Sequence, residues 1–169
     1  MNTIETERLV LDLYTEKDRE SFIALLTDEN VMRYVDKGVM SALAAGALFE
    51  RMQKMYAEQG VDSIWAVFSK DDGSYIGNAG IRPRPEKEQD WEISYYLIED
   101  AWGKGYGTEL AKRLVEYGFE VLKLPAVYAT VDYENAPSRK ILEKAGMSFF
   151  EELLDEQGPF ALYRISKNK

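Results

Sequence analysis

The 169-residue chain predicts a mixed α/β domain. Three observations carry that reading. Short runs that alternate apolar and polar residues recur between stretches of helical spacing. The middle of the chain is rich in β-formers and holds a tight hairpin signal at Asp72-Gly73. Between Trp91 and Tyr133, a strand, a glycine-rich turn, an amphipathic helix and a β-branched strand follow in order. That order is a βαβ unit, whose two strands should be parallel.

Taken in sequence, residues 8–14 alternate with Leu9, Leu11 and Leu13 on one face and read as a strand. Thr15-Glu16-Lys17-Asp18 reads as a helix start, with acid in the first turn. Phe22, Ile23, Leu25 and Leu26 give that helix its buried stripe. A short helix or turn is expected over residues 28–37. Ser41 suits the N-cap of a second long helix, carried by Leu43, Ala47, Leu48, Met52 and Met55 and closed by Gly60. Residues 63–69 and 75–81 flank the hairpin turn as strands. Two prolines and many charges mark residues 82–90 as a loop. Residues 91–98 alternate again, with Trp91, Ile93, Tyr95 and Leu97 against Glu92, Ser94 and Tyr96. The helix after the glycines is carried by Leu110, Leu114, Tyr117, Gly118 and Val121, and residues 126–133 form the next strand. Pro137 suits the first turn of a short helix that Gly146 ends. Residues 147–154 and 159–165 form a last hairpin. With no repeat or linker in view, residues 1–169 are expected to form one domain.

Composition narrows the chemistry. A hydrophobic fraction of 46% and a charged fraction of 30% fit a globular chain. No run of about 18 apolar residues suggests a membrane span, and no secretory signal is visible at the start, so a cytoplasmic protein is expected. The chain has neither cysteine nor histidine. Disulfides, thiol nucleophiles, Ser-His-Asp triads and the common zinc sites are therefore excluded, and no metal is expected. A general base must be Glu, Asp, Lys, Tyr or water. The net charge of −9 argues against nucleic acid or anionic lipid as partners and suits an amine.

The segment Trp102-Gly103-Lys104-Gly105-Tyr106-Gly107-Thr108-Glu109 stands where the strand hands over to the helix. Helix N-termini carry unpaired N–H groups and partial positive charge, and glycines let an anion approach them. The segment thus offers a phosphate cradle. A Walker A loop is excluded, because Lys104 precedes Gly105 and Ile98 stands where the first glycine should be. A dinucleotide fingerprint remains open, with Asp132 near the place of its ribose-binding acid. A plain flexible turn is the third reading.

A second segment, Asn135-Ala136-Pro137-Ser138-Arg139-Lys140-Ile141-Leu142-Glu143-Lys144-Ala145-Gly146-Met147, follows the next strand. Together the two segments resemble the pyrophosphate loop and cofactor-side helix of the GNAT superfamily of acyl-CoA-dependent N-acyltransferases. Thr6-Glu7-Arg8-Leu9-Val10-Leu11 and Tyr75-Ile76-Gly77-Asn78-Ala79-Gly80 extend the resemblance. It is nearest to the RimJ/RimL branch of ribosomal-protein N-terminal acetyltransferases. The resemblance implies a mostly antiparallel mixed sheet of six or seven strands, a splayed parallel pair, and helices on both faces. It implies acetyl-CoA as cosubstrate and transfer of the acetyl group to a primary amine, such as a protein N-terminal amine, in a monomer or homodimer. A non-catalytic acyl-CoA-binding module and a nucleotide-binding protein are the alternatives.

Site residues follow from that resemblance. Trp102, Gly103, Lys104, Gly105, Tyr106, Gly107 and Thr108 would hold the pyrophosphate, with Lys144 and Arg139 available to phosphate charge. Leu97 and Ile98 would offer main-chain groups to the pantetheine arm and to the charge that develops on the thioester oxygen. Asn135 and Ser138 would meet the same arm. Many members carry a tyrosine in the second helix that protonates the departing thiolate; here that position is Leu142. Ser138 or Tyr133 is then the candidate acid, and Glu92, on the strand before the loop, the candidate base. Tyr34, Trp65, Trp91 and Tyr96 are candidates for the acceptor pocket.

Overall fold

The structure, a computed structural model, describes residues 3–35, 38–59 and 64–168. Its elements are β1 (Ile4–Glu5), β2 (Leu9–Asp12), α1 (Arg19–Leu26), α2 (Ala42–Gln59), β3 (Ile64–Ser69), β4 (Tyr75–Arg84), β5 (Lys87–Leu97), α3 (Tyr106–Glu120), β6 (Ala126–Asp132), α4 (Ala136–Lys144), β7 (Ser148–Asp155) and β8 (Gly158–Ser166). The eight described strands form one sheet in the order β1-β2-β3-β4-β5-β6-β8-β7. β5 and β6 are parallel, as a βαβ crossover requires. The pairs β1–β2, β2–β3, β6–β8 and β7–β8 are antiparallel. The strand beyond the expected six or seven is β1, two residues long and too short to leave a periodic signal.

The chain divides into two compact units, Met1–Ala79 with Tyr96–Lys104, and Gly80–Tyr95 with Gly105–Lys169. The first is organised around Tyr14, Phe22, Leu26, Met32, Phe49 and Met52. α1 begins where the Asp18 carboxylate accepts from the Thr15 N–H and hydroxyl, both at 2.8 Å. The Ser41 hydroxyl accepts from the Ala44 N–H at 3.1 Å, so it caps α2 as expected. Trp65 is 1% exposed and belongs to the core rather than to a pocket wall. In the second unit, α3 lays Leu110, Ala111, Leu114 and Val115 inward. Gly118 lets it close on Val127 and Ile81, where an added Cβ would meet Val127 Cγ2 at 2.8 Å.

Several expectations are corrected. Residues 82–90 are not a loop: β4 runs through Arg84 and β5 starts at Lys87, leaving a two-residue turn at Pro85-Glu86. Pro83 is tolerated because a strand excludes proline only where its missing N–H would face a ladder partner. On α2 the buried stripe is Ala45, Phe49, Met52 and Tyr56, while Leu43 is 85% exposed and Ala47 is exposed. Four alanines in the first turns leave the apolar faces nearly equivalent, and the aromatics decide which one turns inward. Val121, expected in the stripe of α3, lies just past its end and is exposed. The expected helix stop at Gly60 and the strand start at Ser63 lie outside the described residues, as does the end of the expected turn at Lys37. Among the described residues no helix is long and apolar enough to cross a membrane.

Candidate active site

In the first unit, the segment after β5 is tied down by main-chain carbonyls. The Trp102 indole N–H donates to the Leu97 carbonyl at 2.9 Å, and the Arg8 guanidinium to the Lys104 carbonyl at 2.8 Å. The Ile98 N–H donates to the Ile76 carbonyl at 3.0 Å, and the Ile98 carbonyl accepts from the Ala101 N–H at 2.9 Å. Of the main-chain groups expected to meet the substrate arm, those of Ile98 are therefore already engaged. Strand alternation turns the Leu97 N–H to the other side, away from β4. Gly103 has a φ of 72°, and a Cβ there would meet nothing within 4 Å. Left-handed backbone, rather than close contact, is what glycine provides at that position.

In the second unit, Gly105, with a φ of 81°, is the N-cap of α3. The helix ladder starts at the Glu109 N–H, which donates to the Gly105 carbonyl at 3.2 Å. The N–H groups of Tyr106, Gly107 and Thr108 precede it and have no acceptor within the helix. They are suited to a diphosphate. Gly107 also has a packing task. Its added Cβ would lie 2.7 Å from Ile141 Cδ1, so it sets the approach of α4 to α3.

The parallel ladder pairs Trp91 with Val127 and Glu92 with Tyr128, while the strands run on to Leu97 and Asp132. At the far end of β5, the Tyr95 hydroxyl lies 3.3 Å from the Ser138 hydroxyl in the first turn of α4. Burial pushes the Tyr95 phenol up to about 12, against a smaller opposing effect of its bond to Ser138. Asn135 is the N-cap of α4, its side-chain oxygen accepting from the Ser138 N–H at 3.2 Å. Arg139 Nε is buried with no hydrogen-bond partner, the kind of donor an anionic ligand would satisfy. The residues around α3 and α4 therefore fit the phosphates and amide-bearing arm of a coenzyme A thioester.

Other expected residues have partners of their own. Glu92 is 9% exposed and accepts from Arg82 at 3.3 Å, so a guanidinium stands beside it. The Tyr133 hydroxyl donates to Glu152 at 3.0 Å; desolvation and that carboxylate both raise the phenol above its usual range. Its proton is thereby tied to the hairpin. Lys144 sits in the last turn of α4, roughly 10 Å along the axis from Ser138, where it complements the helix dipole. Leu142 is 1% exposed and is core. Asp132, the candidate ribose ligand, accepts from the Glu134 N–H at 2.7 Å and serves its own turn. Tyr95 is the residue that sequence reasoning missed; it was legible only as one position of an alternating strand.

Comparison with known proteins places this geometry. A family profile described as an acetyltransferase (GNAT) domain matches residues 8–148. YoaA of Bacillus subtilis strain 168, described as an uncharacterized N-acetyltransferase, is 30% identical over 145 residues, covering 85% of this chain and 81% of its own. The crystal structure of a GNAT-family acetyltransferase from Bacillus anthracis superposes with a TM-score of 0.83 at 24% identity, covering 98% of each chain. A RimL ribosomal-protein acetyltransferase bound to coenzyme A superposes with a TM-score of 0.80 at 12% identity, again covering 98% of each chain. At such identities the likeness of the structures is one of fold. The chain belongs to the GNAT acetyltransferase family and is an acetyl-CoA-dependent transferase.

Proposed function

We propose that this enzyme moves the acetyl group of acetyl-CoA directly to a primary amine, with no covalent enzyme intermediate, in the cytoplasm, and that its acceptors resemble those of the RimJ/RimL branch. The observation that carries the reading is the Tyr95–Ser138 hydrogen bond, made beyond the last paired residues of two parallel strands. Ligands of such sheets bind outside the carboxyl ends of the strands, and here that place holds a proton-bearing pair.

The bound thioester supplies an activated acyl carbon. The chain supplies the rest. The first-turn N–H groups of α3, with Gly103 and Lys104 leading into them, hold the diphosphate, and Arg139 answers phosphate charge. Glu92 takes a proton from the acceptor nitrogen, directly or through water, so that its lone pair is available. As the carbon–nitrogen bond forms and the carbon–sulfur bond breaks, Ser138 donates a hydrogen bond to the departing thiolate, which is neutralised by the proton that Glu92 took from the amine, returned through water. Tyr95 holds Ser138 in place: each hydroxyl has one proton to donate, and with Tyr95 as donor that of Ser138 is free for the substrate.

The test is release of free thiol from acetyl-CoA in the presence of a panel of amines, beside calorimetry with coenzyme A. Amine-dependent thiol release is expected. Glu92→Gln should lower turnover at neutral pH by about 100-fold or more and leave coenzyme A affinity within about twofold. Heat of binding without amine-dependent thiol release would instead identify a non-catalytic acyl-CoA-binding module.

A further inference from the structure

Glu92, Tyr128 and Arg164 stand side by side on three neighbouring strands. Glu92 pairs with Tyr128 across the parallel ladder, and Tyr128 with Arg164 across the antiparallel one. Residues paired in this way share one face of a sheet. The adjoining Val127 belongs to the other face, against Gly118 of α3. α3 and its phosphate-holding N-terminus therefore serve one face of the sheet, and the Tyr128 row serves the opposite one.

That row is rich in guanidinium. Arg84 lies over the Tyr128 ring at 5.6 Å and Arg164 at 5.8 Å, with Arg164 also 5.1 Å from the Phe150 ring. Two cations on one ring repel each other, and a stacked guanidinium still has its N–H fork to satisfy. Arg82 does so through Glu92 at 3.3 Å. Arg84 does not: it is 6% exposed, and among the described residues its one carboxylate contact is Glu86 at 3.9 Å, itself largely in solvent. Arg164 has no carboxylate partner among the described residues, and its Nε is buried without a hydrogen-bond partner. A chain with a net charge of −9 has no shortage of acidic residues to pair them. An anion from outside would satisfy both forks at once.

We propose that this face seats the acceptor, and that Arg84 and Arg164 grip a carboxylate borne by the amine. The substrate class is then an amine with a carboxylate a few bonds away: an amino acid, or the N-terminus of an acidic peptide. The inference rests on the acetyl-transfer reading, because it takes Glu92 as the place of the amine. Adjacent strands lie about 4.8 Å apart, so Glu92 and Arg164 are about 10 Å apart at the backbone, and the Arg164 guanidinium lies over Tyr128 between them.

Calorimetry on the full chain, with and without coenzyme A, tests it. The probes are glutamate against its diamide, and a pentapeptide that starts with two glutamates against one that starts with two glutamines. In at least one pair the acid form should bind about ten- to a hundredfold more tightly. Arg164→Gln and Arg84→Gln should each erase that ratio and keep coenzyme A affinity within about twofold. Arg164→Lys keeps the charge, loses the fork and should restore only part of the ratio. A responding glutamate pair identifies a small-molecule acceptor, and a responding peptide pair identifies a protein N-terminus. Equal binding of acid and amide in both pairs overturns the proposal, as does an intact ratio in a folded Arg164→Gln variant or a preference for spermidine over every acid probe. Failure of coenzyme A to bind strikes the acetyl-transfer reading instead, and the amine probes still report on the arginines without it.

Discussion

A hydroxyl pair is only as useful as the direction of its protons, which makes Tyr95 and Ser138 the residues to change first. Ser138→Ala removes the donor to the sulfur and should lower kcat by about 100-fold. Tyr95→Phe removes only the group that holds Ser138, and should lower kcat by about tenfold with KM for acetyl-CoA unchanged. A purely structural role for Tyr95 would move the melting temperature and KM together and spare kcat. The phenol also makes a prediction in alkali. Its folded pKa, about 12, lies above the unfolded value of about 10. The folded state therefore binds more protons between those values, and the stability this represents is complete below pH 10 and lost as pH rises through 12. Tyr14 and Tyr75, whose hydroxyls meet at 2.7 Å, are raised in the same direction, chiefly by burial. The melting temperature should fall steeply above pH 10, and less steeply in Tyr95→Phe; parallel curves for the two proteins would refute the assignment. Ser138 was legible in the sequence as a candidate acid, but its bond to Tyr95 was not. The partner of Tyr95 is 43 positions away, and periodicity reports which face a residue takes, not what it meets there.

Glycines do three different things in the elements around the candidate site, and substitution should separate them. Gly77 of β4 has a φ of 155°, and an added Cβ would sit 2.1 Å from the Tyr96 carbonyl oxygen. Backbone cannot step aside, so Gly77→Ala should cost more than about 3 kcal/mol or prevent folding. Gly118→Ala would press a Cβ on Val127, Ile81 and Leu124, packed side chains with some room to adjust, at about 1–3 kcal/mol. Gly107→Ala meets only the far end of Ile141 and should cost least, with the α3–α4 approach slightly widened. Urea melts of the three variants give the order; a Gly77→Ala protein as stable as Gly107→Ala would contradict it. The same elements show where sequence reading succeeds. The βαβ unit was legible because its strands, its turn and the stripe Leu110-Leu114-Gly118 all point to one arrangement. The β4–β5 hairpin was not, since prolines and charges in residues 82–90 look like a loop, although β4 runs through Pro83 to Arg84. The α2 stripe was misplaced because alanine fits either face, so Phe49 and Tyr56 had to decide.

At the scale of the molecule, the chemistry was set by two absences that composition alone reveals. Without histidine or cysteine, proton transfer falls to carboxylate and hydroxyl groups, and the side chains named at the candidate site are of those kinds. The excess of negative charge makes the sparsely paired guanidiniums beside Tyr128 stand out, whereas sequence reading, which sees only totals, took the charge as a general attraction for amines. Binding of the cosubstrate should register on the whole fold. A ligand that binds only the folded state stabilises it by about 2.7 kcal/mol at a hundred times its Kd. For a chain of this size each kcal/mol raises the melting temperature by roughly 2–4 °C, so coenzyme A at that concentration should raise it by about 5–10 °C. NAD at the same concentration should raise it less, because the Asp132 carboxylate that a dinucleotide ribose would need already accepts from the Glu134 N–H and serves its own turn. A rise with NAD that matched or exceeded the rise with coenzyme A would turn the glycine turn into a nucleotide site and Asp132 into its ligand. A rise with coenzyme A alone, lost in Gly105→Val where the left-handed N-cap of α3 is forbidden to a β-branched residue, ties the binding to that helix end.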